Sequence, residues 1–129
     1  MNKFATAINC MDGRVQIPVI SYIKNNYGVD YVDMITLPGP DKILSENKPE
    51  FLVDWIKKCV EISISRHKSG LIAIIGHYDC AGNPVDEQTH KENILSAIET
   101  IQSWQFNVDI IGLWVDEDWN VRSVFSKRK

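Results

Sequence analysis

The 129-residue chain lacks an excess of positive charge: 14 Lys and Arg stand against 17 Asp and Glu, a net charge of −3. No basic field is available to attract a nucleic-acid backbone, and the Lys127-Arg128-Lys129 end reads as a solvated tail. It also lacks a long apolar run. Nothing approaches the ~20 residues needed to cross a bilayer, and the apolar start, Phe4 to Ile8, is too short for a secretory leader and is interrupted by Asn9. Cysteine is scarce and odd in number, three in all, which argues against a disulfide framework and for the reducing cytoplasm. Repeats, low-complexity tracts and interdomain linkers are absent as well. A hydrophobic fraction of 44% with 24% charged residues is instead that of one globular domain, residues 1–129, large enough to bury a core.

Apolar runs alternate with helical patterns. Lys3 to Asn9 reads as a buried strand. Val15, Val19, Tyr22 and Ile23 follow at helical spacing, with Pro18 in the first turn and Gly28 as the stop. Tyr31 to Thr36 is a second strand, ended by Pro38-Gly39-Pro40. A helix is expected from near Pro49, with a stripe of Leu52, Trp55, Ile56, Cys59 and Ile62, and Gly70 after it. Leu71 to Ile75 is a continuous apolar strand, the pattern of a strand covered on both faces. Thr89 and Glu92 have capping-box spacing ahead of a helix marked by Ile94, Leu95, Ile98 and Ile101. Val108 to Val115 is a fourth strand, Asp116-Glu117-Asp118 a turn, and Trp119 to Phe125 an edge strand. The alternation predicts an α/β fold with a mainly parallel sheet, strand order 2-1-3-4 and strand 5 at an edge, flanked by helices.

That order has a chemical consequence. Strands 1 and 3 become neighbours whose following helices leave toward opposite faces, and a crevice opens at their carboxyl ends. Cys10 lies just past strand 1; His77 and Cys80 lie just past strand 3. Two thiolates and an imidazole are zinc ligands of tetrahedral geometry, and three of them leave one position open. Asp12 either fills that position or turns away from it. Arg14, two residues on, is placed to hold Asp12 off the metal in a bidentate pair, with Asp12 then orienting a hydroxide. A cysteine nucleophile with His77 as its base is the other chemistry these residues allow.

The two steps, Cys10-Met11-Asp12-Gly13-Arg14 and His77-Tyr78-Asp79-Cys80-Ala81-Gly82, resemble the zinc signature of the β-class carbonic anhydrases. The resemblance runs through most of the chain, including the Ile111-Gly112-Leu113-Trp114-Val115-Asp116 segment. It implies zinc on Cys10, His77 and Cys80, with Asp12 and Arg14 as the gating and catalytic pair. It implies reversible hydration of CO2 to bicarbonate, and assembly into dimers or higher oligomers. Departures are present too. Thr36-Leu37-Pro38-Gly39-Pro40 stands where the family has an Arg-Asn-Ala-Gly stretch. Amino-terminal wrapping helices are absent, and only Asn83 to His90 follows the second motif before the next helix. Apolar surface left without those helices predicts a homodimer. The shortened pocket keeps two further readings open: zinc chemistry on another small electrophile, such as carbonyl sulfide or carbon disulfide, and a zinc-stabilised binding domain without catalysis.

Of the remaining residues, Cys59 is expected in the core. His67 is expected as a solvated helix-end residue. His90 is expected to be exposed in a first helical turn, with a proton shuttle as its alternative role. Asp79 is expected in the ligand loop, Gln16 near the site, and Gly76 and Gly82 as residues that let the loop turn tightly. Trp55, Trp104, Trp114 and Trp119 are expected in the core or at an interface.

Overall fold

In the computed structural model, which describes residues 2–129, five strands form one sheet in the order β2-β1-β3-β4-β5. They are β1 (Phe4–Cys10), β2 (Tyr31–Leu37), β3 (Leu71–His77), β4 (Asp109–Val115) and β5 (Val121–Lys127). β1 pairs in parallel with β2 and β3, and β3 with β4; β5 returns antiparallel to β4. This is the order expected from the sequence. β3, at the centre, is buried at all seven positions, as an unbroken apolar run between two helical layers should be.

Helix α1 (Gln16–Tyr27) covers one face alone. It lies over small residues, Ala5, Ala7 and Ala73, which let its Val19 and Ile23 approach closely. Gly28, in the left-handed region at φ 63°, ends it by donating to the Lys24 carbonyl. Helices α2 (Pro40–Glu46), α3 (Glu50–His67) and α4 (Glu87–Ser103) cover the other face, packing Leu44, Ile56, Ile94 and Ile98 on Ile8, Ile72, Ile74 and Ile110. The helices after β1 and β3 thus lie on opposite faces, and the strand ends between them are free to form a site.

Several local expectations are corrected. Pro38-Gly39-Pro40 does not merely end β2. It starts α2, with Pro40 at the first helical position, where its missing N–H costs nothing. The stripe expected on α3 is rotated. Val53, Ile56, Val60 and Ser63 face the core, while Trp55 and Ile62 are exposed and Cys59 is half-buried. Both sides of that helix carry apolar residues, so periodicity alone does not select the buried one. Leu95 is likewise exposed. β5 begins at Val121, after a turn in which Trp119 adopts φ 62°.

The cap of α4 is Asp86, whose carboxylate accepts the Thr89 N–H at 2.8 Å; the Thr89–Glu92 box does not form. That hydrogen bond holds the Asp86 carboxyl below its ordinary value of 3.8. Its stabilisation is therefore complete above the unfolded value and is lost as pH falls through the lower folded one. Asp86→Ala should lower the melting temperature at pH 7, and the difference from the parent should disappear in acid. Melting curves across pH check this.

Candidate metal centre

The carboxyl ends of β1 and β3 bring three ligand atoms together. Those of Cys10, His77 and Cys80 all lie within 4.8 Å of one another, and all three residues are buried. The two sulfurs are 3.9 Å apart, although 70 positions separate them in sequence. Parallel pairing of Thr6–Ile8 with Ile72–Ile74 closes that separation.

The imidazole is set up as a ligand. His77 Nδ1 donates to the Tyr78 carbonyl at 2.7 Å, which leaves Nε2 buried with no hydrogen-bond partner. A buried unpaired nitrogen is costly unless something fills its lone pair. The thiols show the same incompleteness. The Cys80 hydrogen bond pulls the Cys10 thiol well below its ordinary value, with His77 assisting against the cost of burial. The Cys80 thiol is pushed up by Cys10 and then by burial. Each sulfur thus biases the other's ionisation in the opposite direction. Burial lowers the His77 pKa, but the nearby Cys10 sulfur and the bond to the Tyr78 carbonyl outweigh that and leave it raised. A divalent cation would let both sulfurs ionise. The donor set fits zinc.

Asp12 stands outside the ligand group and is bound to Arg14. Arg14 Nη2 reaches its Oδ2 at 2.7 Å and Nε its Oδ1 at 3.1 Å, a bidentate fork, while the Arg14 backbone N–H donates to Oδ1 at 2.9 Å. The guanidinium holds the Asp12 carboxyl down at about 2, and the Arg14 pKa is raised in return. Arg14 is itself fixed from three sides: by Asp12, by Asp79 (Nη1 to Oδ2 at 3.3 Å) and by the Trp119 ring 4.6 Å beneath it. Asp79 sits in the left-handed region at φ 57°, a conformation aspartate tolerates better than most residues, and this aims the loop between the ligands.

Other residues support the motif rather than entering the site. Gln16 Nε2 donates to the Cys10 and Asp12 carbonyls at 2.7 and 2.8 Å. Buried Asn9 accepts from the Cys10 N–H and donates to the Val15 carbonyl. Gly76 and Gly82 do not serve as turn residues with positive φ. They allow close approach: a Cβ on Gly82 would lie 2.5 Å from the Pro38 carbonyl carbon, and one on Gly76 2.9 Å from Asp41 Oδ2. His90 is corrected most. It is fully buried, with Nδ1 2.6 Å from Asp41 Oδ2, so it is neither an exposed first-turn residue nor a shuttle at the pocket mouth. Its partner lies on the helix that sequence patterning does not reveal. His67 is half-exposed at the end of α3 as expected, but it also pairs with Asp33 at 2.7 Å and stacks on Phe4. Of the four tryptophans, Trp114 is buried, Trp55 exposed, and Trp119 packs on Arg14.

A cavity of about 440 Å³ opens beside Cys80, lined also by Asp79, Pro84, Val85, Trp114 and Glu117. A second cleft of similar volume, between β2 and α3, contains none of the three ligands. Of the two, only the first is lined by one of the three candidate ligands, Cys80.

The family described as "Putative carbonic anhydrase" matches residues 1–125. The chain belongs to that family. No curated protein matches it. Among solved structures, it is similar to a tetrameric β-carbonic anhydrase of the filamentous ascomycete Sordaria macrospora, at 12% identity and TM-score 0.60, over 98% of this chain and 82% of that one. It is similar to the β-carbonic anhydrase CcaA at 14% identity and TM-score 0.62, over 95% and 73%. It is also similar to the carbonic anhydrase of Glaciozyma antarctica at 13% identity and TM-score 0.60, over 94% and 81%. At these identities the likeness establishes a shared β-carbonic anhydrase fold. No helix of this family member, among its described residues, is long and apolar enough to cross a membrane.

Proposed function

We propose that this chain is a zinc-dependent β-class carbonic anhydrase that interconverts CO2 and bicarbonate. The observation that carries the proposal is the buried Cys10–His77–Cys80 cluster, with the unpaired His77 Nε2, at the strand ends of a carbonic anhydrase fold. Zinc held by these three side chains would supply hydroxide near neutral pH by acidifying water.

The chain's own residues do the rest. Cys10 and Cys80 provide two negative charges that match the cation, and His77 provides a neutral nitrogen fixed by its bond to Tyr78. Arg14 holds Asp12 away from the three candidate ligands, so Asp12 would not compete with water for a metal held there. Asp12, ionised throughout the working range, accepts a hydrogen bond at Oδ1 or Oδ2 and so orients the attacking oxygen toward the substrate carbon. The cavity beside Cys80 admits a small linear molecule. Asp79 and Glu117 on its lining do not repel neutral CO2 and favour departure of anionic bicarbonate.

Support for a homodimer comes from β2. It is an edge strand with one side unpaired, flanked by exposed Trp55 and Ile62, and the Sordaria relatives are tetrameric. Light scattering should give twice the chain mass; a monomer at working concentration would contradict this. The unbridged thiols suit a reducing compartment, the cytoplasm.

The deciding experiment is metal analysis followed by stopped-flow CO2 hydration across pH, with carbonyl sulfide and carbon disulfide as competing substrates. One zinc per chain with CO2 turnover is expected. Full zinc occupancy without CO2 turnover at any pH would overturn the carbonic anhydrase assignment, and turnover of carbonyl sulfide or carbon disulfide alone would move the reaction to that substrate.

A further inference from the structure

A second buried polar cluster lies beneath the ligand loop. Asp41, Asn83 and His90 are each at most 2% exposed, yet they carry a carboxylate, an amide and an imidazole. His90 Nδ1 donates to Asp41 Oδ2 at 2.6 Å. Asn83 Nδ2 donates to Asp41 Oδ1 at 3.3 Å and to Asn93 Oδ1 at 2.9 Å. Burying a carboxylate and an imidazole is expensive, and apolar residues of the same volume generally pack as well or better. Such a cluster is most readily explained where it fixes one arrangement of the chain.

Its position shows which arrangement. Asp41 is in the first turn of α2, and His90 in the first turn of α4. Between them runs the segment from Gly76 to Asn83, which carries His77 near one end and Cys80 near the other. Asp41 Oδ2 and His90 Nδ1 lie so close to Gly76 that a Cβ there would be 2.9 and 3.0 Å from them. Asn83 ends the segment on the same carboxylate. Gly82 and Gly39 meet backbone to backbone, with no room for a side chain on either. The segment is therefore gripped at both ends by one buried group.

We propose that Asp41, His90 and Asn83 form a positioning clamp that sets the separation of Cys80 from His77, and through it the geometry and lifetime of the bound metal. No side chain of the three hydrogen-bonds to a metal ligand; they act through the backbone of Gly76 and of Asn83, whose N–H faces the Cys80 sulfur. The inference rests on the zinc reading above.

The test compares Asp41→Asn and Asn83→Ala with Thr100→Val as a control. Thr100 Oγ1 donates to the Leu44 carbonyl at 2.7 Å, so its loss weakens the same α2–α4 contact without touching the loop. Cobalt-loaded and zinc-loaded proteins are challenged with a chelator, the cobalt absorption spectrum is recorded, and amide hydrogen exchange of residues 78–83 is followed in metal-free protein. The clamp predicts chelator release about 10–100-fold faster in Asp41→Asn and Asn83→Ala, the range outer partners of metal ligands carry. It also predicts shifted cobalt bands and faster loop exchange in both variants, with all three readouts at parent values in Thr100→Val. Parent-like spectra and release rates in the folded clamp variants would overturn it. Should Asp41→Asn fail to fold, Asn83→Ala decides alone. Should the parent protein take up neither metal, the proposed function fails. Loop exchange then still decides the clamp: faster in the Asn83 variant supports it, unchanged overturns it.

Discussion

Cys80→Ser is expected to strip the protein of metal. The cation's double charge is matched by two thiolates, and serine's hydroxyl does not ionise to replace one. The loss also propagates to Cys10, because the Cys80 hydrogen bond is the largest cause of its depressed pKa. Without it, burial favours the neutral Cys10 thiol and proton competition for that ligand rises. Metal affinity should fall by more than the roughly 10–100-fold that outer partners carry. Metal content after dialysis should drop from one per chain to near zero, and CO2 hydration should vanish with it. The fold should persist, since both helical layers pack on the sheet independently of the sulfur. A folded Cys80→Ser protein that keeps stoichiometric zinc would remove Cys80 from the ligand set.

Asp12→Asn should do the opposite: keep the metal and lose the rate. Asparagine preserves the shape of the Asp12 side chain and one acceptor for Arg14, but it loses the negative charge and the second oxygen that accept the hydrogen bond of the attacking group. Removing one preorganised hydrogen-bonding partner of the reacting group typically costs about 10²–10³-fold, so hydration should fall by that factor at unchanged zinc content. The pH profile separates this from a general loss of structure. Arg14 holds Asp12 near a pKa of about 2, so its ionisation contributes no inflection between pH 5 and 9. The variant should therefore show a lower plateau with the same midpoint. Parent-like turnover in metal-replete Asp12→Asn would overturn the catalytic role of the carboxylate.

The sheet order and the meeting of Cys10, His77 and Cys80 were legible in the sequence for one reason. Unbroken apolar strands separated by helices restrict the topology, and the topology then restricts which strand ends are neighbours. What was not legible was set by partners distant in sequence. α2 is only seven residues long and begins within a Pro-Gly-Pro step that reads as a terminator. With α2 unread, Asp41 had no place, and His90, between Thr89 and Lys91, looked solvated. A buried carboxylate–imidazole pair leaves no periodic trace; each member is recognisable only once the other is located. Gln16 shows the same limit at short range, since its role lies in two backbone carbonyls that composition cannot reveal.

The 70 positions between the two facing sulfurs also govern the order of events during folding. In a zinc finger, ligands a few residues apart can capture the ion in an otherwise unstructured chain, and the ion then drives folding. Here, joining Cys10 to Cys80 means closing a long loop whose entropy must be offset before any coordination bond forms. The β1–β3 pairing supplies that closure. A metal taken up at this site would therefore meet a chain whose central sheet already exists, where it would slow unfolding without choosing the topology.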